Sequence, residues 1–435
     1  MKKVIFFLLL ISSLSLRAQD DIYPAKDYKG RIFIIHGTVH TGTGQVIENA
    51  TIEVNNGKIV GVGQSNNAPT GDAKIVDAGG KQVYPGLILS QTDIGLKEIA
   101  SGVRGSNDYL ELGDLNPDIR SIVAYNTDSK ITGTLRANGI LLACVAPEGG
   151  TISGSSSVVQ LDAWNYEDAA YKKDNGIRLN LPSFLARPNR MALFLGLPAE
   201  HTDPTKQALD KMEEIKSFLR QAKAYIEEGT HTETNLKFEA VRGLFDKSQK
   251  LFVYGDQVKQ MLAAIDLKKE FGLEVTIVGG SESFLIADLL KKNEISVILQ
   301  QMHELPATDD DDYDQPFKTP AILQQAGVLF AINDSHEESR YRNLMFNAGT
   351  AAAYGLTKEQ ALQAITLNAA RILGIDDRTG SIEPGKDANI LICEGDILDM
   401  RTSIIDKAFI QGREVSLENK QVQLYERYKY KYWLK

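Results

Sequence analysis

KLFVYGDQVKQMLAAIDLKKEFGLEVTIVGGSESFLIADLLKKNEISVILQQM, residues 250–302, decides the fold. Three short apolar runs rich in β-branched residues, KLFVYGD, EVTIVGG and ISVILQQM, alternate with stretches of helical spacing at 257–271 and 282–292. Strand followed by amphipathic helix is the unit of a parallel sheet. The rhythm extends upstream in MALFLGLP, followed by a helix over 204–228, and downstream in GVLFAIND, followed by helices over 341–354 and 358–373. Adding VYPGLILSQTD, GILLACVAP and SSVVQLDAW gives about eight strands, the number that closes a barrel. The expected fold is therefore α/β, a TIM-like (β/α)8 barrel over residues 86–375, with its chemistry at the C-terminal ends of the strands. The alternative is an open doubly wound sheet, although no Gly-rich phosphate loop follows the first strand.

On either side the pattern changes. RIFIIHGTVH, ATIEVNN, GKIVGVG and AKIVDAGGKQV alternate with period two between Gly and Asn turns, and a second such set occurs in GSIEPGKDANILICEGD and DKAFIQGREV. Neither set has enough strands to bury its own apolar face, so residues 19–85 and 376–415 should pair into one composite β-sandwich. The tail 416–435, ending LYERYKYKYWLK, reads as a terminal strand or helix that packs its rings on the barrel, or as an interaction surface.

The chain has 435 residues, 43% hydrophobic and 24% charged, with a net charge of −9. That balance disfavours nucleic acid as a partner. Lys2 and Lys3, the apolar run 4–11 and the small-residue stretch 12–18 have the layout of a secretory leader cleaved after Ala18, which implies a periplasmic or extracellular protein. The run is too short for a bilayer span of roughly 20 residues, and no membrane span is expected. Cys144 and Cys393 lie inside apolar runs and read as small buried hydrophobes.

VDAGGKQVYPGLILSQTDIGL (76–96) and RNLMFNAGTAAAYGLTKEQALQAITLNAARILGIDDRTGSIEPGKDANILICEGD (342–396) resemble the amidohydrolases, in the branch of imidazolonepropionase-like enzymes and dipeptidases. SGSSSVVQLDAW (153–164) matches more loosely. The resemblance implies a barrel with a split sandwich and hydrolysis of C–N bonds in small amides or peptide-like substrates. It also implies a divalent metal, commonly zinc, held by a His-x-His pair after strand one. The remaining ligands would be a carboxylate or modified Lys after strand four, His after strands five and six, and an Asp after strand eight. Here the strand-one pair falls on Gln91 and Asp93, strand five ends at Tyr254, strand six at Gly280, and only Asp334 matches directly; Glu200 is the carboxylate nearest to strand four.

Gln is a weak zinc ligand, and Tyr binds only as phenolate, so the zinc set cannot be rebuilt by these replacements. Asp93, Asp256, His303, Asp334 and His336 all fall at or just beyond strand ends. Asp334 is the expected catalytic residue, and Asp93, Asp334 and His303 could hold a harder ion such as manganese or magnesium. Equally, they could be polar residues satisfying loops and one another, with no metal bound. The acidic run 309–312 reads as a solvated or mouth-covering loop, with calcium binding from the exterior as the alternative; the glycine and serine stretch 149–157 as a flexible connector or, through its backbone amides, an anion site; and His36 and His40 as structural or exposed. His201, beside Glu200, is the one imidazole placed to replace a lost ligand near strand four. Two functions remain: a C–N hydrolase with an altered metal site, or an inactive barrel that binds a small amide or peptide-like ligand. The latter could act as a homo-oligomer or as partner subunit to an active homologue.

Overall fold

A computed structural model describes residues 23–64, 71–98, 107–185, 203–300, 302–306, 310–334 and 340–434. The leader, Glu200, His201, Asp309 and His336 lie outside the described residues, as does the MALFLGLP run at 191–198.

The first sheet joins the two ends of the chain. Its strands are β1 (Arg31–His40), β2 (Val46–Asn55), β3 (Lys58–Gln64), β4 (Ala73–Asp77) and β5 (Gln82–Pro85) from the N-terminal side. After the barrel strands, numbered β6–β13 below, the C-terminal side adds β14 (Ile390–Cys393), β15 (Ile405–Ile410) and β16 (Arg413–Val415). The order is β16-β15-β14-β5-β1-β2-β3, with β4 pairing the first half of β1. The two halves meet where β14 runs antiparallel to β5, setting Ile390 opposite Pro85 and Cys393 opposite Gln82. Period-two alternation turns Ile32, Ile34, Ile52 and Val54 inward against Ile390, Ile392 and Phe409. Asn56 and Gly57 join β2 to β3 with φ of 50° and 76°, the positive pair required by a tight hairpin. A Cβ on Gly57 would stand 2.5 Å from the Gln411 carbonyl oxygen in the β15–β16 turn, so the two hairpin tips touch.

The second sheet is the barrel: β6 (Leu87–Thr92), β7 (Ile140–Val145), β8 (Ile152–Gln160), β9 (Ala170–Asn180), β10 (Lys250–Gly255), β11 (Val275–Gly279), β12 (Ser296–Leu299) and β13 (Phe330–Ile332), adjacent in that order. Ile88, Leu142, Cys144, Val158, Phe252, Val278, Ile298 and Ala331 form the interior, closed at the base by Ala369, Ile372 and Leu373 of the helix Leu367–Leu373. Among the described residues no ladder joins β13 to β6. Instead Asn333, directly after β13, bridges the gap with its side chain: Oδ1 accepts from the amides of Ser90 (2.9 Å) and Gln91 (3.3 Å), and Nδ2 donates to the Gln91 carbonyl (2.8 Å). A side-chain amide here does what a strand backbone does elsewhere.

Two finer expectations are corrected. The Ser-rich segment is no flexible connector, because Ser153–Ser157 lie buried within β8, which runs antiparallel to both neighbours. The fourth strand is Ala170–Asn180, whose alternation is masked by Lys172, Lys173, Asp174 and Arg178. Sandwich and barrel are stitched by buried Asp387, which accepts from Tyr171 Oη of β9 (2.5 Å) and Arg378 (3.0 Å) and pairs with Lys58 of β3 (2.7 Å). Burial alone would raise its pKa, but these donors hold it below the usual carboxylate value.

Candidate functional site

Parallel strands place the ends of β6, β10, β11, β12 and β13 at one mouth, carrying Gln91 and Asp93, Tyr254, Gly279 to Ser281, His303, and Asp334. Gln91 is locked twice. Its backbone is held by Asn333, and its buried side chain accepts from Tyr254 Oη at 3.0 Å. The chain of contacts continues through Gln91 Nε2 to Cys144 Sγ (3.7 Å), Cys144 Sγ to Asn175 Oδ1 (3.6 Å) and Ser156 Oγ to Asn175 Oδ1 (2.9 Å). A neutral polar network thus crosses the interior through β10, β6, β7, β9 and β8. Burial pushes the Tyr254 hydroxyl and the Cys144 thiol each up to about 12, so both stay protonated donors near neutral pH. The Arg178 guanidinium lies over the Tyr254 ring, 3.8 Å from its centre, and is held by Asn180 Oδ1 (3.1 Å) and Glu148 (3.3 Å).

The carboxylates are engaged separately. Asp93 accepts from Tyr341 Oη at 2.5 Å and faces Lys97 at 3.6 Å. Asp334 is buried, accepts from Asn347 Nδ2 at 3.1 Å on one oxygen, and on the other meets Arg340 Nε at 3.5 Å. Among the described residues that second oxygen makes no hydrogen bond. Arg340 also approaches Glu304 at 3.7 Å. His303 turns Nε2 to Thr350 Oγ1 at 2.7 Å; burial lowers its pKa, the Asp334 charge pulls it up, and Arg340 pulls it down. After β11, Gly280 adopts φ +64°, and a Cβ there would press on Val297 at 3.0 Å, so any larger residue would be strained. Asp256, at the end of β10, accepts from the Ser281 amide at 3.3 Å.

Asp93, Asp334 and His303 therefore share one mouth but are not gathered into a metal site: among the described residues no group of three or more His, Cys, Asp or Glu side chains is placed to hold an ion. The donors fit a metal poorly on chemical grounds as well. Protein cations, Lys97 and Arg340, already face both carboxylates, and the positions of Gln91 and Tyr254 supply a neutral amide oxygen and a protonated phenol. Asp312 and Asp314 both pair with Lys318, at 3.0 and 2.6 Å. His40 lies far from the mouth, on the seam between the sheets. Sequence reasoning missed Arg178, Arg340, Tyr341, Asn347 and Asn333. Arg178 was hidden in the unrecognised fourth strand, while the others are donors, invisible to a search for metal ligands. A narrow cleft of about 20 Å³ opens at the ends of β11 and β12, between Leu299, Met302 and Pro316 on one side and the polar Ser281, Asp311 and Gln315 on the other.

Residues 323–415 match the model of the amidohydrolase family. The imidazolonepropionase of Thermoplasma volcanium is 25% identical over 415 residues, covering 90% of this chain and 97% of that protein. The imidazolonepropionase of Picrophilus torridus is 42% identical over 152 residues, 34% of this chain and 36% of that protein. Among solved structures, an amidohydrolase from Thermotoga maritima superposes with a TM-score of 0.74 at 27% identity, covering 88% of this chain and 99% of that one.

Proposed function

The chain belongs to the amidohydrolase superfamily, on its imidazolonepropionase-like branch, and from that premise we propose that it is an exported protein whose barrel mouth holds a small amide or peptide-like ligand without the family's zinc. The family generally uses a divalent metal. One observation carries the reading: the Tyr254–Gln91 hydrogen bond, capped by Arg178, fills with neutral donors and acceptors the ground where zinc ligands would stand. Such a floor recognises an amide by hydrogen bonds and ionises no water. Binding of this kind suits a homo-oligomer or a partner subunit of an active homologue, and the charged start followed by an apolar run supports export.

A second reading, hydrolysis of a C–N bond through manganese or magnesium, is favoured by the buried Asp334 oxygen that, among the described residues, makes no hydrogen bond. Metal analysis of the purified protein separates the two. We expect no stoichiometric zinc, a melting temperature indifferent to chelator, and a stability change within about 1 kcal/mol for Asp334→Asn, since Arg340 is partly solvated and keeps Glu304 as a partner. One tightly bound zinc per chain, with amidase activity lost in Asp334→Asn, would overturn the proposal.

A further inference from the structure

The helix Lys420–Lys431 follows the last strand and buries none of its residues. The side chain of Asn419 caps it, accepting from the Val422 amide, and Thr134 Oγ1 ties it to the helix Lys130–Ala137 through Gln421 at 3.0 Å. Beyond that anchor its rings stand free: Tyr425, Tyr428, Tyr430, Tyr432 and Trp433 are between 53% and 89% exposed. The expectation that these rings pack on the barrel is thus corrected. Tyr425, Tyr428 and Tyr432 share one stripe, the last two stacked at 6.4 Å. Lys429 and Lys431 flank the stripe, 5.9 Å from the Tyr425 ring and 4.9 Å from the Tyr432 ring. Tyr430 and Trp433 point elsewhere around the axis. Tyr23 and Trp164, 68% and 60% exposed with rings 6.2 Å apart, line the same groove as Lys420 and Arg427.

We propose that this C-terminal helix is a peripheral docking element for anionic phospholipid. Two observations select that occupant. First, residues 420–435 carry five basic side chains and one acidic one, in a chain whose net charge is −9, so this segment is drawn to a negative surface against the charge of the whole. Second, Tyr425, Tyr428 and Tyr432 form one stripe with Lys429 and Lys431 beside it, so the helix can lie in a headgroup layer with these rings inward and their hydroxyls and the lysines in water. No described helix is long and apolar enough to cross a membrane, which makes the contact superficial.

Sedimentation with vesicles tests the proposal, using the chain from Gln19 onward so that the apolar run at 4–11 contributes nothing. Binding is expected to phosphatidylcholine vesicles containing phosphatidylglycerol, to weaken with added salt, and to be slight on phosphatidylcholine alone. The double change Lys429→Gln, Lys431→Gln should weaken it about 30-fold, from roughly 1 kcal/mol per basic residue at such a surface. The triple change Tyr425→Ser, Tyr428→Ser, Tyr432→Ser should abolish it with an unaltered melting temperature, because none of these rings is part of the core. Absence of binding to the anionic vesicles, or equal binding by the triple variant, overturns the proposal. So does a dimer, detected by light scattering, that the triple variant dissolves, since the helix would then belong to a second copy.

Discussion

His40 links sandwich to barrel through Nδ1, which meets Glu359 at 2.6 Å, while Nε2 meets Gln82 Oε1 of the neighbouring sandwich strand at 3.0 Å and the ring stacks 4.5 Å from Tyr84. Two oxygen acceptors on one imidazole favour the doubly protonated form. Burial opposes that charge, but the Glu359 and Gln82 bonds and the nearby Asp396 raise the pKa above 6.5. A raised pKa contributes stability that is complete below pH 6.5 and lost as pH rises through the folded value. We expect wild type to exceed His40→Gln by about 1–2 kcal/mol in the acid range, the worth of a charge-assisted bond, and this advantage to fade at alkaline pH. A pH-independent difference in denaturant midpoints would show that the imidazole is neutral when folded. At this scale the sequence was informative about identity and poor about partnership. Gln91, Tyr254 and Asp334 were locatable by position, yet Arg178 over Tyr254 and Tyr341 on Asp93 bring together residues up to 248 apart in the chain, and no local pattern encodes such pairs.

Among the elements, closure of the barrel depends on a single amide side chain. Replacing Asn333 with Leu would remove the side-chain partner of the Ser90 and Gln91 amides and of the Gln91 carbonyl, costing about 3 kcal/mol while the remaining ladders persist. Thermal unfolding should register the loss, with far-ultraviolet circular dichroism of the native state unchanged; an unshifted midpoint would mean that packing alone closes the gap between β13 and β6. Strands with apolar faces on both sides, such as Leu251–Val253 and Val297–Leu299, were legible because nothing polar interrupts them. Ala170–Asn180 was not. Its lysines serve tertiary contacts, as when Lys172 donates to the Gly374 carbonyl at 2.9 Å, and such charges imitate a solvated loop. The terminal helix was legible in composition alone: alternation of rings and lysines fits strand, buried helix and exposed helix equally.

For the molecule as a whole, the outer arrangement followed from arithmetic on apolar faces. Two incomplete strand sets on either side of a barrel had to find each other, and β5 beside β14 is that meeting. The direction of β8 was beyond such reasoning, because a Ser-rich strand reads alike forward and backward. Its reversal bears on how the chain reaches this state. Most barrel neighbours are joined through long crossovers, so pairing them must first close a large loop, whereas β7, β8 and β9 form a meander within residues 140–180. Short-range pairing incurs the smaller closure entropy. Refolding should accordingly start there, and pulsed hydrogen exchange should find the amides of β8 and β9 protected before those of β12 and β13. Simultaneous protection of all eight strands would assign the meander no kinetic priority.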